Sequence, residues 1–232
     1  MTKYKIYHIN FFEKWDLIST TISQLRYNDN SMMGIKLTNI SNFSIEGVYY
    51  EKIIYTETID HPINGISTTH QETFIHTTFV IYKERGIVIL LNPSRRSNSF
   101  FNFISINTTN LFSLSESQFN IYEFYKYAIK SLQEFRIKKI VFYPFNFLPQ
   151  STATISITSQ NNALNDSYSL GINIPHNILK ISFECIYQSK RLTGSLSSSG
   201  LVSVSSTADI DFLEHILDNN RLTETYLTNQ YS

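Results

Sequence analysis

Cysteine is nearly missing from this chain. Cys185 stands alone, so neither an intrachain disulfide nor a cluster of thiolate ligands can be built. A reducing, cytoplasmic setting is the expectation that follows. Long apolar runs are missing as well: no stretch of about 18 apolar residues occurs, so no membrane-spanning helix is expected. The N-terminus alternates from Lys3 onward and lacks the apolar core of a secretory signal. Glycine is scarce and scattered, with seven in the chain, which excludes a GxGxxG turn or a P-loop. The serine elbow of hydrolases is absent too. Its nearest approach, Gly194-Ser195-Leu196-Ser197-Ser198, has leucine where the nucleophile belongs. Charge is also short, at 16% of residues against about a quarter in ordinary domains.

What the chain does have is length, aromatics and a sorted charge. Its 232 residues suffice for a sizeable core, and 17 Phe and 15 Tyr supply large buried surfaces. The formal charges cancel overall, but not locally. Residues 1–82 carry a net −2, residues 83–191 a net +6 and residues 192–232 a net −4. A basic middle between acidic flanks suits an anionic partner.

The periodicity predicts an α+β fold with antiparallel sheets and three to four helices. Residues 3–9 alternate as a strand. Asn10 and Glu13 suggest a capping box, and Phe11, Trp15, Ile18, Ile22 and Leu25 line one helix face. Strands are expected over 31–40, 44–57, 73–83 and 86–91, with a polar loop over 60–71. A helix follows over 94–106. A stronger one is expected over 116–135, capped by Ser115 and Gln118 and striped by Ile121, Tyr125, Ala128, Leu132 and Phe135. Beyond a strand at 137–143, residues 152–158 and 168–174 alternate around a turn at 161–166. Strands over 179–188 and 195–205 and a helix starting at Ser206 and Asp209 complete the chain. No internal repeat is visible. Two units are expected, an N-terminal α+β unit over 1–145 and a C-terminal antiparallel sheet with a helix over 146–232; a single continuous domain is the alternative.

Few residues group into chemistry. His70, Glu72 and His76 share one parity of a strand, but His70 and His76 would lie roughly 20 Å apart, too far for one ion. Asp209 and Asp211 suit the start of a helix. Glu51, Lys52, Glu57 and Asp60 read as a solvated strand edge, and Cys185 as a small buried residue. These patterns assign no catalytic residue, no metal ligand and no cofactor. The cations are different. Arg95 and Arg96 stand where a helix begins, so an anion would relieve their conflict with its dipole. Arg136, Lys138 and Lys139 follow the long helix, and Lys190 and Arg191 sit at a hairpin. With Lys126 and Lys130 they compose a candidate phosphate-binding set.

Residues 73–104 run as a strand (Phe79, Val80, Ile81), a turn at Arg85-Gly86, an apolar strand, the Asn92-Pro93 break, and then Phe100, Phe103 and Ile104. This order, together with the strand, charged turn and Gly-containing return over 181–205, resembles RexA-like phage-exclusion DNA-binding proteins across about a quarter of the chain. The resemblance implies a DNA-binding sensor of an antiviral defence system, often dimeric and acting with an effector protein.

The sequence therefore points to a non-enzymatic, cytoplasmic nucleic-acid-binding protein, DNA favoured, with Arg95, Arg96, Lys138, Lys139, Lys190 and Arg191 on phosphates. An assembly subunit of a homo- or hetero-oligomer and a metal-dependent nuclease are the alternatives.

Overall fold

A computed structural model describes residues 1–62, 65–94, 97–108, 110–148, 150–170, 178–205 and 210–219. The protein is α+β, with five helices and antiparallel strands among those residues. It divides into two compact units: Tyr7–Ser115, and Met1–Ile6 with Glu116–Ser232. Strand β1 (Thr2–Phe11) contributes its first residues to one and its last to the other. Pro144, near the expected boundary, falls within the second of these units, between β7 (Gln133–Phe142) and β8 (Phe145–Leu148).

In the Tyr7–Ser115 unit, α1 (Trp15–Gln24) leads to four antiparallel strands and a second helix. The strands are β2 (Met33–Ile40), β3 (Ser44–His61), β4 (Gly65–Tyr82) and β5 (Ile87–Leu91), and α2 spans Ser97–Asn107. Neighbours in sequence are neighbours in the sheet. Trp15, Ile18 and Ile22 of α1 and Phe100 and Ile104 of α2 share one core with Ile35, Ile45, Tyr49, Phe79, Ile81, Val88 and Leu90. Of the expected apolar stripe, Trp15, Ile18 and Ile22 are buried on α1, while Phe11 belongs to β1 and Leu25 follows the helix. The expected cap does not form: β1 runs through Asn10, and the helix starts after Lys14 with no side-chain cap bond. The indole Nε1–H of Trp15 instead ties the helix start to the carbonyl of Ser41, at 2.9 Å.

The other unit repeats this order. After β6 (Phe112–Glu116), α3 (Ile121–Ser131) leads to β7, β11 (Ile178–Tyr187), β12 (Lys190–Ser197) and β13 (Leu201–Val204), again paired in sequence, and α5 (Ile210–Asn219) closes the series. The repeat lies in topology and leaves no trace in residue identities. Between β7 and β11 this copy carries extra elements: β8 and β9 (Ser151–Ala153) as a hairpin, β10 (Ser156–Thr158) on the outer edge of β7, and α4 (Ala163–Ser169). The start of β1 pairs with β13. Phe124, Phe135, Phe183 and Phe212 meet under the helices, with Phe183 at 5.6 Å from both Phe124 and Phe135. Gly194 lies directly beneath the Phe183 ring; a Cβ there would sit 2.5 Å from Cζ. Gly200 turns the chain between β12 and β13 at φ +78, a conformation glycine adopts without cost.

Several expected elements need correction. The strand expected over 195–205 is the end of β12 followed by β13, broken at Gly200, and the alternating segment expected over 168–174 begins inside α4. The helix expected over 116–135 is only α3, because Asn120 rather than Ser115 caps it, accepting from the N–H groups of Tyr122 and Glu123. Leu132 and Phe135 still reach the core side, but Phe135 does so from a strand. The turn expected at 161–166 is largely helix α4, started by Asn162, whose side chain accepts from the Leu164 N–H. This raises the helix count above the expected three to four. Finally, the polar loop expected over 60–71 is largely strand: β3 and β4 run on to His61 and from Gly65. A ribbon with solvent on both faces shows no apolar alternation, which is the signal that distinguishes a strand from a loop. Ser206 and Asp209 lie outside the described residues, as do residues 171–177.

No helix among the described residues is long and apolar enough to cross a membrane.

Candidate nucleic-acid interface

The sheet of the Met1–Ile6 and Glu116–Ser232 unit has one apolar and one polar face. Ile137, Ile140, Ile181, Phe183, Cys185, Leu192 and Leu196 are buried, and α3 and α5 lie over this side through Phe124 and Phe212. The register fixes what alternates with them. Thr158, Lys139 and Ser182 are direct neighbours across β10, β7 and β11; Ser195, Ser203 and Lys3 continue the row across β12, β13 and β1. At about 4.8 Å per strand Lys139 and Lys3 stand roughly 19 Å apart along the row, the span of several phosphates, with Ser203 buried between them. A second row holds Ser156, Val141, Lys180 and Ser197, with Lys5 paired to Leu201. A third sets Arg136 beside Glu184 and Thr193.

A β-bulge sharpens this arrangement. Lys139 pairs with Ser182 but Ile137 with Phe183, leaving Lys138 as the extra residue of β7. Consecutive residues of a regular strand point to opposite faces, whereas a bulge re-aims one of them. Lys138 thereby escapes the apolar side. Its Nζ lies 3.7 Å from Glu184 Oε1 and donates to the Gln160 carbonyl at 2.5 Å.

Glu184 is the focus of the charges. Arg191 donates to its Oε2 at 3.0 Å, and Arg136 Nε lies 3.3 Å from Oε1. The Arg191 hydrogen bond, aided by the charges of Lys138, Arg191 and Arg136, holds its carboxyl below the usual range. Glu184 thus organises three cations, and Glu134 lies 3.7 Å from Arg136 as a second carboxylate, leaving one cation of the three in excess. Lys139 and Lys180 are exposed beside this group. Lys5 bonds the Ser199 carbonyl and lies 3.5 Å from Glu116.

Of the cations singled out in the sequence, Lys138, Lys139 and Arg191 come together on the polar face. Lys190 does not: it pairs with Tyr187 and shares the parity of the apolar side, at the tip of the β11–β12 hairpin. Arg95 and Arg96 lie outside the described residues. Lys126 is held by Glu123 and stacks over Tyr122 on α3. Sequence reasoning missed Lys3, Lys5 and Lys180 and assigned Arg136 to a helix end. The alternation Lys180, Ser182, Glu184 was a usable signal; the pairing that brings β1 beside β13 was not.

Among the described residues no three His, Cys, Asp or Glu side chains gather as a metal site. His70 shares a hydrogen bond with Thr56 Oγ1 (3.1 Å), and Lys52 pairs with Glu72 at 2.6 Å. Glu51 is buried rather than solvated, and burial together with its charge pushes Tyr49 up to about 12. No known family model and no curated protein matches the chain. Its chemistry must therefore be taken from its own residues.

Cys185 is buried in the apolar face, and burial pushes its thiol up to about 11. The thiolate is the reactive form. A maleimide at mildly alkaline pH should leave the folded protein unlabelled and modify one thiol per chain once urea unfolds it. Stoichiometric labelling of the folded protein would contradict this burial.

Proposed function

We propose that this is a non-enzymatic, cytoplasmic nucleic-acid-binding protein that holds a phosphate backbone on the polar face of the sheet in the Met1–Ile6 and Glu116–Ser232 unit. The observation that carries this is the bulge that adds Lys138 to Lys139, Arg136, Lys180 and Arg191 on one face, five cations against the two carboxylates Glu184 and Glu134 that pair with them. Thr158, Ser182, Ser195 and Thr193 stand between the cations and can donate to phosphate oxygens, whereas Ser197 and Ser203 are buried. The paired rows themselves carry no aromatic ring on this face, and Tyr143, exposed just beyond β7, is the one ring near it, so contacts fall mainly on the backbone. Binding of this kind is largely indifferent to sequence and strongly dependent on salt. The resemblance of residues 73–104 and 181–205 to RexA-like proteins supports DNA as the ligand and antiviral defence as the setting.

The test is a titration against labelled single-stranded and duplex DNA over a salt series. Binding should weaken steeply as salt rises. Lys139→Ala combined with Lys180→Ala should remove two phosphate contacts, flattening the logarithmic slope by about 1.8 on duplex or about 1.4 on single strands. No binding at low salt, or a slope unchanged in the double variant, would overturn the proposal.

A further inference from the structure

β3 and β4 outrun the rest of their sheet. β2 pairs with β3 only between Ile45 and Glu51, and β5 pairs with β4 only between Thr78 and Tyr82. Beyond these limits the two strands continue as a ribbon to His61 and from Gly65, paired residue by residue without a register shift. At about 3.3 Å per residue this projection is roughly 30 Å long. Two-stranded ribbons are marginal in water on their own. This one exposes apolar side chains along its length: Ile54 at 47%, Tyr55 at 53%, Ile59 at 45%, Ile66 at 73% and Phe74 at 48%.

The outer edge of β4 carries the inference. Among the described residues no strand pairs with it from Gly65 to Thr77. Proteins protect such edges with lysine, proline, bulges or brevity. Residues 66–75, Ile-Ser-Thr-Thr-His-Gln-Glu-Thr-Phe-Ile, contain no lysine and no proline, and the strand has no bulge there. β-branched residues and a phenylalanine favour extended pairing.

We propose that this edge pairs with the same edge of a second copy of the chain, antiparallel, about a two-fold axis through Gln71. A two-fold interface must be self-complementary, and the charges select this register. With Gln71 opposite itself, each Glu72, which also holds Lys52 of its own ribbon at 2.6 Å, faces the partner's His70 rather than a second carboxylate, so the one acidic side chain between Ile66 and Ile75 meets no like charge. Phe74 then faces the partner's Thr68, and Thr73 the partner's Thr69. An axis further along, at Phe74, would also set Glu72 against a histidine, but because Thr78 already pairs with Leu91 it leaves only residues 71–77 to pair, a shorter ladder than 65–77 about Gln71. The joined ribbons form four strands. Pairing over this stretch supplies on the order of ten backbone hydrogen bonds, as many as a standard interface carries, and the exposed isoleucines gain a wider surface to pack on.

Sedimentation of the full chain, free of nucleic acid, tests this separately from the DNA-binding proposal. The protein should run as a dimer. Gln71→Lys and Gln71→Glu each place like charges opposite one another at the axis, and each variant alone should run as a monomer. Mixed in equal amounts they should form a heterodimer. Gln71→Cys should form an intermolecular disulfide on oxidation, whereas Ser67→Cys, displaced from the axis, should not; Cys185 is buried and does not interfere. A chain that stays monomeric at high concentration would overturn the proposal. So would a dimer indifferent to both Gln71 charges, or equal cross-linking at 67 and 71.

Discussion

Phe183→Ala should destabilise the protein by about 3–5 kcal/mol, the usual cost of emptying a buried phenylalanine site. Phe183 is 2% exposed, and its ring meets three others from three separate elements: Phe124 of α3, Phe135 of β7 and Phe212 of α5. Gly194 beneath it has no side chain to move into the space. Because a rigid element holds each wall, collapse is limited, and the cavity term adds to the lost burial. In urea the circular-dichroism midpoint should fall with little change in slope. A loss under about 1 kcal/mol would mean that the site fills by repacking. Ser182 and Glu184, the neighbours of Phe183 in sequence, belong to the opposite face. DNA affinity should therefore be unchanged under conditions where the variant remains folded, and lost only together with the fold.

Glu184→Gln should move stability and binding in opposite directions. The Glu184 side chain is 12% exposed and stands among Arg136, Lys138 and Arg191, whose own exposures are 41%, 35% and 72%. These partners are wet, so each ion pair by itself is worth little. The loss at neutral pH should be about 1 kcal/mol, the cost of weakening a charged hydrogen bond. Its pH dependence follows from the sign of the shift. The folded carboxyl titrates below its unfolded value of about 4.3, so its stabilisation is complete above that value and fades as pH falls through the folded one. The wild-type chain and the glutamine variant should differ in urea midpoint at pH 7 and converge in acid. On DNA at low salt the variant should bind more tightly, having lost the charge that offsets its cations. Equal affinity would show that DNA does not sense this face.

The sequence displayed those parts of the fold in which one side of an element is buried. The Trp15, Ile18 and Ile22 stripe, the β5 run and the Cys185 strand all carry the period of their secondary structure, and each lies where that period places it. Elements wet on both sides were hidden. The ends of β3 and β4 read as a loop because threonine alternates there with threonine, and α4 is a helix of only seven residues whose start is marked by one asparagine. Topology was hidden as well. The repeated helix, four-strand meander and helix depends on which strands pair, and its second copy is interrupted by 35 residues between Phe142 and Ile178. For the interface, net charge located the basic segment, and Lys138, Lys139 and Arg191 were legible within it. Lys3 and Lys5 were not, since they arrive from the far end of the chain through the pairing of β1 with β13.

The additional residue in β7 has one more consequence. On either side of Lys138 the ladder with β11 is already in step, Ile137 with Phe183 and Lys139 with Ser182. Loss of that single codon would close the kink into a regular ladder and remove a cation while every other side chain kept its face. Loss of a codon from the regular stretch Lys139–Val141 would turn the residues beyond it inside out. This position can gain or lose a residue in evolution, and with it one unit of positive charge.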